Sequence, residues 1–262
     1  MTNGIPGFWD VGPPDPLPVE ATWRDFVRSI EGSVIEDLVP PPRDFQNADF
    51  LFPKDAVVAE LKEIHTEFSQ STSFKKGLHL LMTRLVKEKP EWRPALLGGD
   101  GTYPDWFPRE FARIFRPALG RILKKANSQI KETKEKFNIT SPTGVLLLVN
   151  EEFTSIDPTL ICALVCDILA NSYSSISAMV YVTVNRYVKI PGSNEPKLLW
   201  VPCYAPNAGN ELVNFINTLG AKWGDFLEEK IGPFTSRIVT GDSTMLLNSK
   251  AIVHPELPVL KR

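Results

Sequence analysis

Three residues near the N-terminus have the types and spacing of a small acid–base site: Asp49, Glu60 and Lys62. Ala48–Phe52 reads as one strand, Val57–Lys62 as a second, and Pro53-Lys54-Asp55-Ala56 as the turn between them. If Phe52 pairs with Val57 across that turn, Leu51 falls opposite Val58 and Asp49 opposite Glu60. Directly opposed residues of an antiparallel pair hold their Cβ atoms about 4.5–5.5 Å apart, so two carboxylates would stand side by side on one face. Lys62, two residues beyond Glu60, joins that face by strand alternation. Opposed carboxylates destabilise a strand pair unless a cation lies between them. A divalent ion answers that need. Asp and Glu are hard oxygen donors suited to Mg²⁺, with Mn²⁺ as a substitute, and the backbone carbonyl of Leu61 offers one more donor. Lys62 could then orient or help deprotonate a water, or stabilise charge on a phosphate. The plain alternative is a solvated strand face. Against it, Glu60 and Lys62 end the apolar run Ala56-Val57-Val58-Ala59, where solvated charge is less expected.

Asn47-Ala48-Asp49 followed by Val58-Ala59-Glu60-Leu61-Lys62 resembles the PD-(D/E)XK nuclease superfamily, whose fold is restriction-endonuclease-like. In that family an Asp on one strand and an acidic-x-Lys on the next bind metal and cleave phosphodiesters. The resemblance assigns Asp49 to the Asp, Glu60 to the acidic position and Lys62 to the lysine. The segment Ala126-Asn127-Ser128-Gln129-Ile130-Lys131, followed by Gly144-Val145-Leu146-Leu147-Leu148-Val149, is similar to the family's next helix and core strand. That helix often carries a Gln or Lys facing the site, which makes Gln129 the candidate supporting residue; a solvated position is its alternative. The family's first helix can also supply an acid, for which Glu31 and Glu36 are candidates, again with a solvated face as the alternative.

The pattern departs from the family in three places. No proline precedes Asp49, residues 40–47 leave little room for a strand before the Asp-bearing one, and some fifty residues separate Lys62 from the long helix. The resemblance covers about residues 22–62 and 117–150. It implies Mg²⁺-dependent hydrolysis of phosphodiester bonds, in DNA ahead of RNA. The rival is a catalytically inactive nuclease-like binding or assembly module within a nucleic-acid-processing or defence complex, as a homodimer or a larger assembly.

The elements that must position these residues follow from periodicity and breakers. Thr22 caps an expected helix running to about Val39, ended by Pro40-Pro41-Pro42. After the hairpin come a helix near 73–88, a Pro/Gly/aromatic loop at 90–108, a short helix from about Arg109 and a long helix from about Pro117 to Phe137. Thr143–Val149 reads as a buried strand, Pro158–Asn171 as a helix and Ile176–Val188 as a long strand. A turn at Pro191–Asn194 leads to a strand at Leu198–Tyr204. Asn210–Lys230 is helical and the C-terminal end irregular. The expected class is α/β, a mixed central sheet flanked by helices, with a restriction-endonuclease-like core and a C-terminal elaboration. The expected division is a Pro-rich arm at 1–20, a nuclease-like core at 21–150 with an insertion or lid at about 66–116, and an α/β elaboration at 151–262 packed on the core.

The 262 residues carry 43% hydrophobic and 23% charged side chains and a net charge of −2, so bulk charge does not draw this chain to nucleic acid. Local charge can. Arg113, Arg116, Arg121, Lys124, Lys125, Lys131, Lys134 and Lys136 gather in and before the long helix, with Lys124 and Lys131 near one face. Arg121, Lys124, Lys125 and Lys131 are the candidate phosphate contacts, against a solvated face part-neutralised by Glu132 and Glu135. The loop Gly98–Phe107 could stack on bases or close over a substrate, or simply bury its aromatics. His65 follows the Glu60-Leu61-Lys62 strand and could approach the site. Cys162, Cys166 and Cys203 form no disulfide framework and fit core thiols in a reducing cytosol. The N-terminus lacks a signal-peptide pattern and no apolar run is long enough to span a bilayer, so a cytoplasmic protein with no membrane contact is expected.

Overall fold

The computed structural model of the chain describes residues 15–42, 44–94, 97–99, 101–140, 143–189, 195–206 and 208–240. In chain order its elements are α1 (Val19–Ser29), β1 (Ser33–Val34), α2 (Ile35–Leu38), β2 (Phe50–Phe52), β3 (Val57–Ile64), α3 (Thr72–Glu88), α4 (Trp106–Lys136), β4 (Gly144–Asn150), α5 (Pro158–Ser172), β5 (Ala178–Val182), β6 (Val188–Lys189), β7 (Pro196–Lys197), β8 (Trp200–Tyr204) and α6 (Asn210–Ile231). Most of the expected arm, the turn at Pro191–Asn194, Asp100 and the chain beyond Thr240 lie outside the described residues.

Six strands form one mixed sheet in the order β1-β2-β3-β4-β5-β8. β3, β4 and β5 run parallel at its centre, while β1, β2 and β8 pair antiparallel at the flanks. β4 is buried along its whole length, as expected of a parallel strand covered on both faces, and this is why it reads as a continuous apolar run. Alternation along β3 splits the core. Val58 and Ile64 pack beneath α3, α4 and α5, while Val57, Ala59 and Leu61 pack against α1 and α6. On that second side Trp23 of α1 stacks on Trp223 of α6 with ring centroids 4.1 Å apart. The class is therefore α/β, a six-stranded mixed sheet flanked by helices, and β5 and β8 belong to the same sheet as the hairpin. Cys203 of β8 meets Cys162 and Cys166 of α5, and all three are free thiols.

The expected helix from Thr22 to Val39 is not continuous. α1 begins at Val19, with the Thr22 hydroxyl donating to the Pro18 carbonyl at 2.8 Å. It ends at Ser29, after which Glu31 takes a left-handed φ of 65°. Ser33 and Val34 then pair with Leu51 and Phe50. The strand preceding Asp49 thus lies upstream of the proline run, not in residues 40–47. Val34 matched a helical stripe because one apolar position also serves a two-residue strand buried on one face.

Three other boundaries differ. The hairpin's first strand starts at Phe50 and not at Ala48. The short and long helices expected at Arg109 and Pro117 are one helix, α4, of 31 residues. Pro117 inside it removes the N–H that would bond the Arg113 carbonyl, a cost of about 3 kcal/mol. The buried stripe Phe115, Leu119, Leu123, Ala126 and Ile130 outweighs it at about 1.5–3 kcal/mol for each large side chain. The long strand expected over Ile176–Val188 stops at Val182, because the Thr183 hydroxyl then accepts the Leu199 N–H at 2.8 Å in place of a ladder bond.

The break between α1 and β1 carries a test of opposite signs. A Cβ on Gly32 would stand 2.6 Å from Val27 Cγ1 and 2.9 Å from Phe52 Cε1. Gly32→Ala is therefore expected to destabilise the protein by about 1–3 kcal/mol in chemical denaturation. In a continuous helix the same change would stabilise by up to about 1 kcal/mol, and a gain of that kind would overturn the break.

Candidate active site

The hairpin register is the one the sequence dictates: Phe50, Leu51 and Phe52 lie opposite Ala59, Val58 and Val57. Asp49 is the residue just before β2, and its side chain stands in for the next rung of the ladder. Its Oδ2 accepts the Leu61 N–H at 2.8 Å, and its carbonyl accepts the Ile35 N–H at 2.9 Å. Leu51 and Val58 both face the α3–α5 layer. By alternation, Asp49, Glu60 and Lys62 share that face.

β2 is too short to hold Asp49 by strand pairing alone, and α4 supplies the rest. Gln129 donates its side-chain amide to the Asn47 carbonyl at 2.8 Å. The Ala48 N–H donates to the Thr133 hydroxyl at 2.7 Å, and the Gln46 N–H to the Glu132 carboxylate at 2.6 Å. Lys136 reaches Asp44 at 3.3 Å. These four α4 residues are spaced so that they line one flank of the helix. Thr133, fully buried, carries no sequence signal that would have marked it.

Glu60 has no exposed surface, whereas the Lys62 side chain is 18% exposed. Lys62 Nζ is ion-paired with Glu60 Oε1. Gln129 Oε1 is buried without a hydrogen-bond partner, and the Glu60 carboxyl lies within hydrogen-bonding reach of Asp49. Burial, and then the neighbouring Asp49 charge, push the Glu60 carboxyl up to about 8 despite Lys62. Burial also raises Asp49, opposed by the Leu61 N–H and the Lys62 charge. Two adjoining buried carboxyls that resist ionisation form a setting that a cation would relieve.

The donors suit a hard divalent ion. Leu61 turns its N–H to Asp49, and a strand residue directs its N–H and C=O to the same edge, so the Leu61 carbonyl shares that edge. Two carboxylates and a carbonyl fit Mg²⁺, which keeps several waters, better than Zn²⁺. No group of three or more His, Cys, Asp or Glu residues able to hold a metal exists among the described residues.

The remaining candidates scatter. Glu31 is tied to Lys54, and Glu36 to Arg24 at 2.6 Å. The first-helix acid whose charge acts on Asp49 is Glu20, which a helix beginning at Thr22 would leave in the arm. His65 lies 3.0 Å from Glu63, and both line a cleft of about 730 Å³ with Glu20 and Glu151. Arg121, Lys124, Lys125 and Lys131 are all exposed on α4. Lys125 is one turn before Gln129, on the flank facing the site. Lys124 lies on the flank toward α5, and Lys131 is 3.8 Å from Glu135. Of the aromatics at 98–107, Phe107 is buried, while Tyr103, stacked on it at 4.2 Å, stays exposed. Neither the 730 Å³ cleft nor a second cleft of about 390 Å³ between α4 and α5 is lined by Asp49, Glu60 or Lys62.

No family model, no curated protein and no solved structure matches this chain.

The buried acid gives stability a pH dependence. Its ordinary value of 4.5 rises to about 8 in the fold, so between those values the folded state holds a proton that the unfolded state has lost. The contribution of Glu60 to stability in EDTA is then greatest below 4.5, falls as pH rises through this window, and levels off above about 8. Glu60→Gln removes this part of the slope. Its thermal midpoint should exceed that of the wild type at the alkaline end, by about 2–4 °C for each kcal/mol relieved, and match it at the acid end. A wild type at least as stable as the variant at alkaline pH would contradict the buried neutral acid.

Proposed function

We propose that this chain is a Mg²⁺-dependent nuclease with a restriction-endonuclease-like core, hydrolysing phosphodiester bonds in DNA. The observation that carries the reading is the convergence of Asp49, Glu60 and Lys62 on one sheet face, with the Glu60 carboxyl fully buried. The order hairpin, α4, then β4 beside β3 supports the core assignment, and Gln129 lies where a supporting polar residue would act.

Asp49, Glu60 and the Leu61 carbonyl would hold the ion, which supplies Lewis-acid charge for phosphodiester cleavage. The chain's own groups do the rest. Lys62 reaches solvent, so its ammonium can meet a phosphate oxygen or move a proton to or from the attacking water. Gln129 Oε1 can accept a hydrogen bond from a water and so orient it. The buried walls keep the carboxyls poorly solvated, which strengthens each of these electrostatic contacts. Lys125, one turn from Gln129 and exposed, is an α4 cation available to the substrate backbone. This reading places the protein at work in the cytoplasm.

A second reading has its own observation. The Lys62 ammonium already sits on Glu60, and neither surface cleft reaches the carboxyls. An internally neutralised site would suit an inactive nuclease-like module acting as a homodimer or inside a larger assembly.

Incubation with circular DNA, linear DNA and RNA, in Mg²⁺ and in EDTA, separates the two. The expected outcome is Mg²⁺-dependent cleavage of DNA, abolished by Asp49→Ala and by Lys62→Ala with unchanged circular dichroism, and reduced about 10–100-fold by Gln129→Ala. Equal activity in wild type and both alanine variants would sink the assignment. A wild type inert on every substrate would favour the module.

A further inference from the structure

We propose that the groove between α4 and α5 binds a single strand of nucleic acid, at a site separate from the Asp49–Glu60 pair. The groove has a volume of about 390 Å³. Arg113, Arg116, Arg121 and Lys124 line it from α4, and Tyr173 borders it at the end of α5. Arg113 is paired with Glu110 and Arg116 with Asp167. Arg121 and Lys124 have no acidic partner among the described residues. Four cations against two carboxylates leave the groove positive on a chain whose net charge is −2.

The groove is built at the expense of the helix. Pro117 and Gly120 both stand inside α4 and both line the groove. Each weakens a helix interior. Close packing does not require the glycine, since an added Cβ on Gly120 would meet nothing within 4 Å. A side chain at that position would instead occupy the groove floor. The Tyr173 hydroxyl donates to the Gly120 carbonyl at 3.4 Å, which holds the ring against the wall.

Shape selects the ligand. From Arg113 to Lys124 the helix rises about 16 Å at about 1.5 Å per residue. A strand stacked as in a duplex advances about 3.4 Å per phosphate and an unpaired strand advances farther, so the cations span at most about five phosphates. A small anion would need only Arg121 and Lys124. A positive trough with an aromatic ring on its wall is the arrangement that tracks a single-strand backbone while stacking a base. The trough lies on the flank of α4 toward α5, whereas Gln129 and Thr133 face the Asp49 segment. Strand binding here needs no cleavage at the other flank.

The test is fluorescence anisotropy of the full chain with a labelled single-stranded oligonucleotide in EDTA, over a range of salt. Arg121→Ala with Lys124→Ala should weaken binding about tenfold or more and flatten the slope of log K against log salt by about 1.4, at about 0.7 per phosphate contact. Gly120→Glu should weaken binding with every cation intact, while Lys75→Ala with Lys76→Ala on α3 should leave it unchanged. Should the double variant fail to fold by circular dichroism, Gly120→Glu decides alone. Wild-type binding by the double variant or by Gly120→Glu would overturn the proposal. So would failure of the wild type to bind the oligonucleotide, or tighter binding of a duplex or an acidic peptide through the same residues. Because no Mg²⁺ is present, none of these outcomes depends on whether the protein cleaves DNA.

Discussion

The hairpin forces two carboxyl groups together on a face of the sheet that a helix must cover, and one of them, Glu60, has no exposed surface at all. An isolated buried carboxylate costs several kcal/mol, so the charge must be met locally or given up. The chain does both in part. Lys62 pairs with one oxygen of Glu60, the Leu61 N–H meets Asp49, and both carboxyls bind protons more tightly than usual. Glu60 and Asp49 are left sharing a hydrogen bond between two poorly solvated carboxyls. Apolar residues of similar volume would fill the same space at less electrostatic cost.

Everything that positions the pair runs through α4. β2 offers only three residues of ladder, too few to fix the chain before it. Gln129, Glu132, Thr133 and Lys136 therefore hold residues 44–48 through side-chain hydrogen bonds and an ion pair. The same helix covers the sheet with Leu119, Leu123, Ala126 and Ile130 and turns its opposite flank to α5. One rigid element thus links the acid pair, its polar support and the basic groove, which explains why α4 is kept continuous through Pro117.

The hairpin was legible because turn chemistry and period-two alternation determine register, and a slip of one residue would have exposed Phe50 and Phe52 to the wrong layer. Gln129 was legible only through family resemblance, since a lone glutamine on a helix has no distinctive spacing. Other features needed the third dimension. The break at Glu31 and Gly32 hid inside an apolar pattern that suits a helix equally well. Pro117 read as a boundary because its cost is local, while the buried stripe that overrides it is collective. The reach of Glu20 toward Asp49, the support from Thr133 and the meeting of Cys203 with Cys162 and Cys166 all depend on segments far apart in sequence.

The central claim is that Asp49 and Glu60 together form a seat for a divalent ion. Titration of the metal-free protein with Mn²⁺, followed by electron paramagnetic resonance and calorimetry with Mg²⁺ as competitor, tests it most directly. The expected result is a single saturable site, lost in Asp49→Asn and in Glu60→Gln, with both variants folded as judged by circular dichroism. A wild type that binds no Mn²⁺, or variants that bind it as tightly as the wild type, would contradict the claim and leave the pair as a neutralised structural feature.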